Sequence, residues 1–418
     1  MNNIIVSPTK LDPAKRPIEI VERKGLGHPD TLSDALGEHL SCTYSNYTLT
    51  RFGAILRHQF DKVALMCGRA KVSFGDGQML EPIRVLINGR ASACLGDEEI
   101  PVRSLLIDAT REFFATRFPM LDFDRDFRIM YEVRSGLHTT TGGIFDRNDE
   151  VRSATASIHY RFHPRSLADL PETHKVQSND TSAAVGWAPF SPLEQAVLRI
   201  ENYLNAATTK LEHPWLGSDI KIMAVRSSDN VKMVIAVPLL SRLTHSGAEY
   251  FERLAIVERL VRKEFAVAAP AYSLDELVLN SGDDLEGRKL YMNFTGSSIE
   301  SGDEGMVGRG NRIGGVIAPC RPYTMEGLGG KNPRYHVGKV YSAAAYDIAH
   351  RLQNELGLST NVFLVNRMAE PLSHPWFATI ETLSTPTDKP AITNIITDVC
   401  ADLERVTKGI LEGKYPLF

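Results

Sequence analysis

The chain has 418 residues, 43% of them hydrophobic and 23% charged, as expected of a soluble globular protein of two or three domains. A net charge of −4 gives no basic field, so nucleic acid is not an expected partner. No apolar run approaches the roughly 20 residues that span a bilayer, so no membrane is expected either.

Five cysteines, at 42, 67, 94, 320 and 400, form no CxxC pair, which argues against a disulfide framework or a cysteine metal site. The opening MNNIIVSPTKLDPAKRP carries no apolar signal core, so a reducing cytoplasm is the expected compartment.

In chain order, Ile18–Arg23 reads as a strand, followed by GLGHPD and a helix from Pro29 to Phe52. Strands follow near Val63–Val72 and Ile83–Ala93, then a helix at Val102–Arg117 and a strand at Phe127–Arg134. The same β-α-β-β-α-β order recurs. It runs through Val151–Phe162, a helix Pro192–Leu211, a hairpin of Asp219–Arg226 and Val231–Leu239, a helix Gly247–Ala268 and a strand Leu274–Asn280. A third set has a strand Leu290–Thr295, a helix Val340–Leu356, strands Asn361–Asn366 and Trp376–Thr382, and a helix Ala391–Leu411. The polar stretch 163–177 reads as a connection. The fold class expected is therefore α+β, in three similar units near 1–148, 149–284 and 285–418, with helices on one face of each sheet. Consecutive ranges need not be the true boundaries.

Glycine makes up eleven of the 43 residues from Gly296 to Gly338. Among or beside them lie Arg309, Arg312, Arg321, Lys331, Arg334 and Lys339, with Asp303 and Glu304 near the start. Glycines let backbone N–H groups approach a ligand, and Arg and Lys supply charge to a phosphate chain. The bland alternative is a flexible linker, but Met306, Val307, Ile313, Val316 and Ile317 are core-type residues that linkers lack.

Ahead of the first helix runs Glu22-Arg23-Lys24-Gly25-Leu26-Gly27-His28-Pro29-Asp30. Pro29 suits the first helical position, and Asp30 and Asp34 fall one turn apart on one face. Asp30 could hold Mg²⁺, and His28 could donate to a phosphate, but a capped helix start with first-turn acids explains the same residues. Lys331 follows Gly330, yet Asn332 stands where a P-loop needs Ser or Thr, and GRGNRIGG is not a dinucleotide fingerprint after a strand. Asn179–Ser182, Asp283-Asp284, His58 with Asp61 and Lys62, and His138 with Thr139–Thr141 each read alone as turn, loop or strand-end polar residues.

Taken together, IVERKGLGHPD (20–30), FGAILRHQFDKVALMCG (52–68), NDTSAAVGWAPFS (179–191), DIKIMAVR (219–226), TGSSIESGDEGMVGRGNR (295–312) and GGKNPRYHVGKVY (329–341) resemble methionine adenosyltransferase of the archaeal-type branch. The resemblance implies three βαββαβ-type domains around a pseudo-threefold axis and an obligate homodimer with active sites between subunits. It implies Mg²⁺, usually K⁺, and the substrates ATP and L-methionine. The methionine sulfur attacks C5′ of ATP, and the released triphosphate is cut to phosphate and pyrophosphate. Such a reaction rests on charge stabilisation and alignment and needs no general base at sulfur.

By the same resemblance, His28 sits beside the C5′–O bond and the phosphates, and Asp30 is a Mg²⁺ ligand. Arg309, Arg312 and Lys331 hold the triphosphate; Lys339 and His336 lie where relatives have further contacts. Asp180 matches an acidic position near ATP. Asp303 helps place methionine and nucleoside, and Asp61 lies near the methionine pocket. The sequence departs from the pattern at SGLHTTTGGIFDR (135–147), where Thr140 stands at the expected acid for the methionine ammonium, at Glu304, and at APCRPYTMEG (318–327). Two alternatives follow: the same chemistry on another nucleotide or sulfur amino acid, and a non-catalytic nucleotide-binding homologue.

Overall fold

The computed structural model describes residues 3–9, 12–135, 162–170, 176–284, 286, 289–383 and 388–418. Three sheets carry the fold, and each pairs its strands in the same way. The first runs Phe127–Arg134, Ile83–Ala91, Ala64–Met66, Gly305–Met306, with a fifth short strand, His58–Gln59, pairing off this path with Ile83–Ala91. The second runs Ser273–Leu279, Asn230–Ala236, Lys221–Ser227, Ile18–Lys24. The third runs Ile4–Pro8, Phe377–Thr382, Thr360–Asn366, Ser182–Ala188. In every case the first pair is parallel and the next two are antiparallel.

A crossover helix and a second helix pack against each other over each sheet: Pro29–Phe52 with Val102–Arg117, Pro192–Asn205 with Gly247–Ala268, and Val337–Leu356 with Lys389–Ala401. Each pair closes over its own apolar core. The repeat of element order expected from the sequence is thus a repeat of α+β topology. Each sheet mixes strands from distant parts of the chain. Gly305–Met306 joins a sheet built from residues before 135, and Ile4–Pro8 joins one built from residues after 181.

Several expected elements are divided, each for a local reason. The strand expected at Val63–Val72 bends at Gly68, where a Cβ would lie 2.7 Å from the Glu81 carbonyl oxygen. The helix expected at Pro192–Leu211 turns extended at Ala206, beside Asn205, whose amide donates to Glu201 and to the Ser218 carbonyl. The last helix restarts at Leu403 because Asp402 caps it, accepting from the Arg405 N–H. The strand expected at Leu290–Thr295 shrinks to Met292–Asn293, since the amides of Phe294 and Thr295 are taken by the Glu300 carboxylate. Residues 151–161, expected as a strand, lie outside the described residues. No helix among the described residues is long and apolar enough to cross a membrane.

Candidate functional site

The strand Ile18–Lys24 delivers the chain into a turn whose glycines are forced by packing. A Cβ on Gly27 would sit 2.3 Å from Ser218 Oγ, so this turn lies flat against the second unit. His28 is the N-cap of the first helix, and its Nδ1 accepts from the Asp30 N–H at 3.1 Å. That bond leaves Nε2 as the donor, facing Asp303 Oδ2 at 3.8 Å. Burial pulls the His28 imidazole down to about 4, against the opposing pull of Asp30 and Asp303, so it is neutral at physiological pH. One ring nitrogen therefore caps the helix and the other faces Asp303.

Asp30 accepts from the Met306 N–H at 3.1 Å and pairs with Lys24 Nζ at 2.7 Å. Lys24 Nζ also donates to the Arg309 carbonyl at 2.8 Å, and Asn311 brackets the Lys24 backbone from both sides. One turn further, Asp34 accepts from the Gly308 and Gly310 amides at 2.8 and 3.2 Å. Glu38, a turn beyond, receives the Gly330 amide and the Lys339 ammonium. Acids at i, i+4 and i+8 of one helix thus gather both glycine-rich loops along one face.

Beside His28, Asp219 is buried and accepts from the Ser298 amide at 2.8 Å and from the Ser298 hydroxyl. Burial pushes its carboxyl up to about 6, with Asp303 adding to the effect.

The second glycine-rich loop presents Lys331, which pairs with Glu326 and lies 3.9 Å from Asp61. Burial lowers the Lys331 ammonium to about 8, with Asp61 and Asp180 acting the other way. Burial alone would raise the Asp61 carboxyl, but hydrogen bonds from Lys62 and Gln59 and the nearby Lys331 bring it below its ordinary value. Glu326 also accepts from Ser182 Oγ at 3.2 Å. His336, buried at the start of its helix, has an Nδ1 without a hydrogen-bond partner among the described residues, and burial together with Lys331 lowers its imidazole to about 3. Asp180 is exposed, its carboxylate accepting from the Thr181 amide.

The structure thus brings His28, Asp30, Asp303 and Arg309 to one group, and Lys331, Asp61, His336 and Asp180 to another, joined by the first helix. Arg309 is exposed, and its guanidinium has no polar partner among the described residues. Other basic residues of the glycine-rich stretch are committed elsewhere. Lys339 is fully buried and spends its ammonium on Glu38 and the Lys331 carbonyl. Arg321 is buried against Glu194 and the Pro189 carbonyl. Arg334 pairs with Glu404; Arg312, by contrast, stays in the loop of Arg309 and gives one N–H of its fork to the Gly308 carbonyl at 2.9 Å. His58 is buried, 2.8 Å from Ser41 Oγ and 3.1 Å from Asn332 Nδ2. His138 and Thr140 lie outside the described residues. Sequence reading missed Lys24, Asp219 and Glu326. Lys24 and Asp219 stand inside quoted motifs, but their partners are 6 and 79 residues away.

Among the described residues, no three His, Cys, Asp or Glu side chains are grouped so as to hold a metal ion. Asp30 with Asp303 across the imidazole is half a site at most. That suits Mg²⁺, which takes one or two carboxylates and completes its shell with phosphate oxygens and water.

The family model described as S-adenosylmethionine synthetase (AdoMet synthetase) matches residues 2–170 and 158–414. The S-adenosylmethionine synthase of Hyperthermus butylicus is 34% identical over 431 residues, covering 100% of this chain and 99% of its own. The probable S-adenosylmethionine synthase of Aquifex aeolicus is 36% identical over 378 residues, covering 90% of this chain and 88% of its own. Among solved structures, an unusual S-adenosylmethionine synthetase from Campylobacter jejuni superposes with a TM-score of 0.52 at 12% identity, over 96% of this chain and 89% of that one, a likeness of fold.

Proposed function

The chain belongs to the S-adenosylmethionine synthetase family, and on that premise we propose that it joins ATP and L-methionine into S-adenosylmethionine. As a methionine adenosyltransferase it forms a sulfur–C5′ bond and breaks the C5′–O bond of ATP. The electron pair leaves with the triphosphate, which water then cuts to phosphate and pyrophosphate. The observation that carries this reading is the exposed Arg309 guanidinium, without a polar partner among the described residues, on a glycine-rich backbone pinned to the helix that neutral His28 caps.

His28 Nε2–H donates to the departing oxygen or its phosphate. It can do so because burial keeps the ring neutral and Asp30 fixes the tautomer. Arg309 and Lys331 hold the triphosphate, with Arg312, Asp180 and His336 around it. Lys339 acts through the Lys331 carbonyl instead of touching phosphate. Asp30 would hold Mg²⁺, which would supply positive charge against the developing phosphate charge; K⁺ enters on family resemblance alone.

Asp61 and Asp303 are the acids placed to meet the methionine ammonium, a role that Thr140 cannot fill as an anion. The sites lie between the subunits of a homodimer. Exposed Leu26 and Met306, beside the His28 turn, support a covering partner. The enzyme works in the cytoplasm.

A mass-spectrometric product screen of several nucleotides with methionine and its analogues tests the assignment. S-adenosylmethionine from ATP and methionine is the expected main product. Faster turnover of another pair would favour the alternative substrate, and no product from any pair would favour the non-catalytic reading.

A further inference from the structure

We infer that Asp34 is a positioning residue for Arg309: it pins the Gly308–Gly310 segment to the first helix so that the guanidinium faces outward to the polyphosphate. The inference rests on the triphosphate role proposed for Arg309.

Both Asp34 oxygens are used. Oδ1 takes the Gly308 amide and Oδ2 the Gly310 amide. The amide between them, Arg309 N–H, turns the other way to the Met306 carbonyl at 3.2 Å. Met306, Gly308 and Gly310 therefore offer alternate amides to the helix acids, and the side chain of residue 309 is thrown to the exposed side. The peptide is held from both directions, since Lys24 Nζ takes the Arg309 carbonyl and Arg312 takes the Gly308 carbonyl. Everything around Arg309 is fixed except its own guanidinium.

Two other roles for Asp34 fail on geometry. It lies in the second turn of its helix, past the N–H groups that a cap can reach. Only 2% exposed behind the loop amides it accepts, its carboxylate is closed off from a Mg²⁺ ion that needs phosphate oxygens and water to complete its shell. Its burial is unfavourable to the charge, as the rise of its carboxyl to about 7 shows. In return the loop has a single register. Gly310 makes that register possible, since a Cβ there would stand 2.3 Å from Asp34 Oδ2.

Binding of inorganic tripolyphosphate, measured by calorimetry, separates this inference from the reading beneath it. Asp34→Asn puts an amide NH₂ against one of the two loop N–H groups, and should weaken binding about tenfold. Arg309→Ala should weaken it at least as much. If Asp34 acts through Arg309, the double variant binds within about twofold of Arg309→Ala alone. Gly310→Ala keeps Asp34 but pushes the loop off it, and should show the same non-additivity. That variant also decides the matter should Asp34→Asn fail to fold. Losses that multiply in both doubles overturn the positioning role and leave the Arg309 reading intact. Normal binding by Arg309→Ala overturns both.

Discussion

The ammonium of Lys339 lies 2.7 Å from Oε1 of Glu38 and 2.7 Å from the carbonyl oxygen of Lys331, with no exposed surface. Removing one partner of a buried ion pair strands the other. Lys339→Ala should therefore lower stability by about 3–5 kcal/mol. Chemical denaturation checks the magnitude. A variant of unchanged stability that binds tripolyphosphate weakly would instead make Lys339 a direct phosphate contact.

Lys331 titrates near 8 because burial disfavours its charge. Only the ammonium attracts phosphate, so affinity for tripolyphosphate, taken relative to Lys331→Arg to cancel the anion's own titration at about pH 6, should be level below that value. Above it, affinity should fall by up to about tenfold per pH unit, less where the bound anion holds the proton on. Arg keeps its charge throughout, so Lys331→Arg should flatten this limb. A wild-type affinity that stays level to pH 10 would remove Lys331 from the phosphate site.

His28 has its folded value near 4, below the ordinary 6.5. Because the buried ring resists protonation, its contribution to stability is complete above 6.5 and is lost as pH falls toward 4. In kinetics the same shift means that kcat/KM shows no acid limb from His28 between pH 5 and 8. A limb near 6.5 that vanishes in His28→Asn would contradict the neutral-donor role.

Asp30→Asn replaces a hard anionic ligand by a neutral amide and frees Lys24. The Mg²⁺ concentration for half-maximal rate should rise, with the maximal rate lowered. An unchanged Mg²⁺ titration would take Asp30 out of the metal site.

Much of the fold was legible because its signals are local. The helices Pro29–Phe52, Val102–Arg117 and Gly247–Ala268 span the expected residues, the first opening on Pro29 at its first position. What the sequence hid depends on distant partners. The helix expected from Val340 starts at Val337 because Asn179, 158 residues earlier, accepts its first amide. Ile4–Pro8 is a strand only because Phe377–Thr382 offers it an edge. The phosphate-site candidates show the same division. His28 and Asp30 could be named from a nine-residue motif. Sorting exposed Arg309 from buried Lys339 and Arg321 needed the positions of Asp34, Glu38 and Glu194. Charge in a glycine-rich stretch tells which residues are available, and burial decides which of them remain unpaired.

The most direct test of the central claim is phosphate release by the purified protein with ATP and Mg²⁺, with and without methionine, while S-adenosylmethionine is quantified in the same samples. The account predicts that wild type forms S-adenosylmethionine, phosphate and pyrophosphate in equal amounts and only when methionine is present. Lys331→Ala should be folded and slower by roughly 10²–10³. Phosphate release independent of methionine, with no S-adenosylmethionine formed, would contradict it.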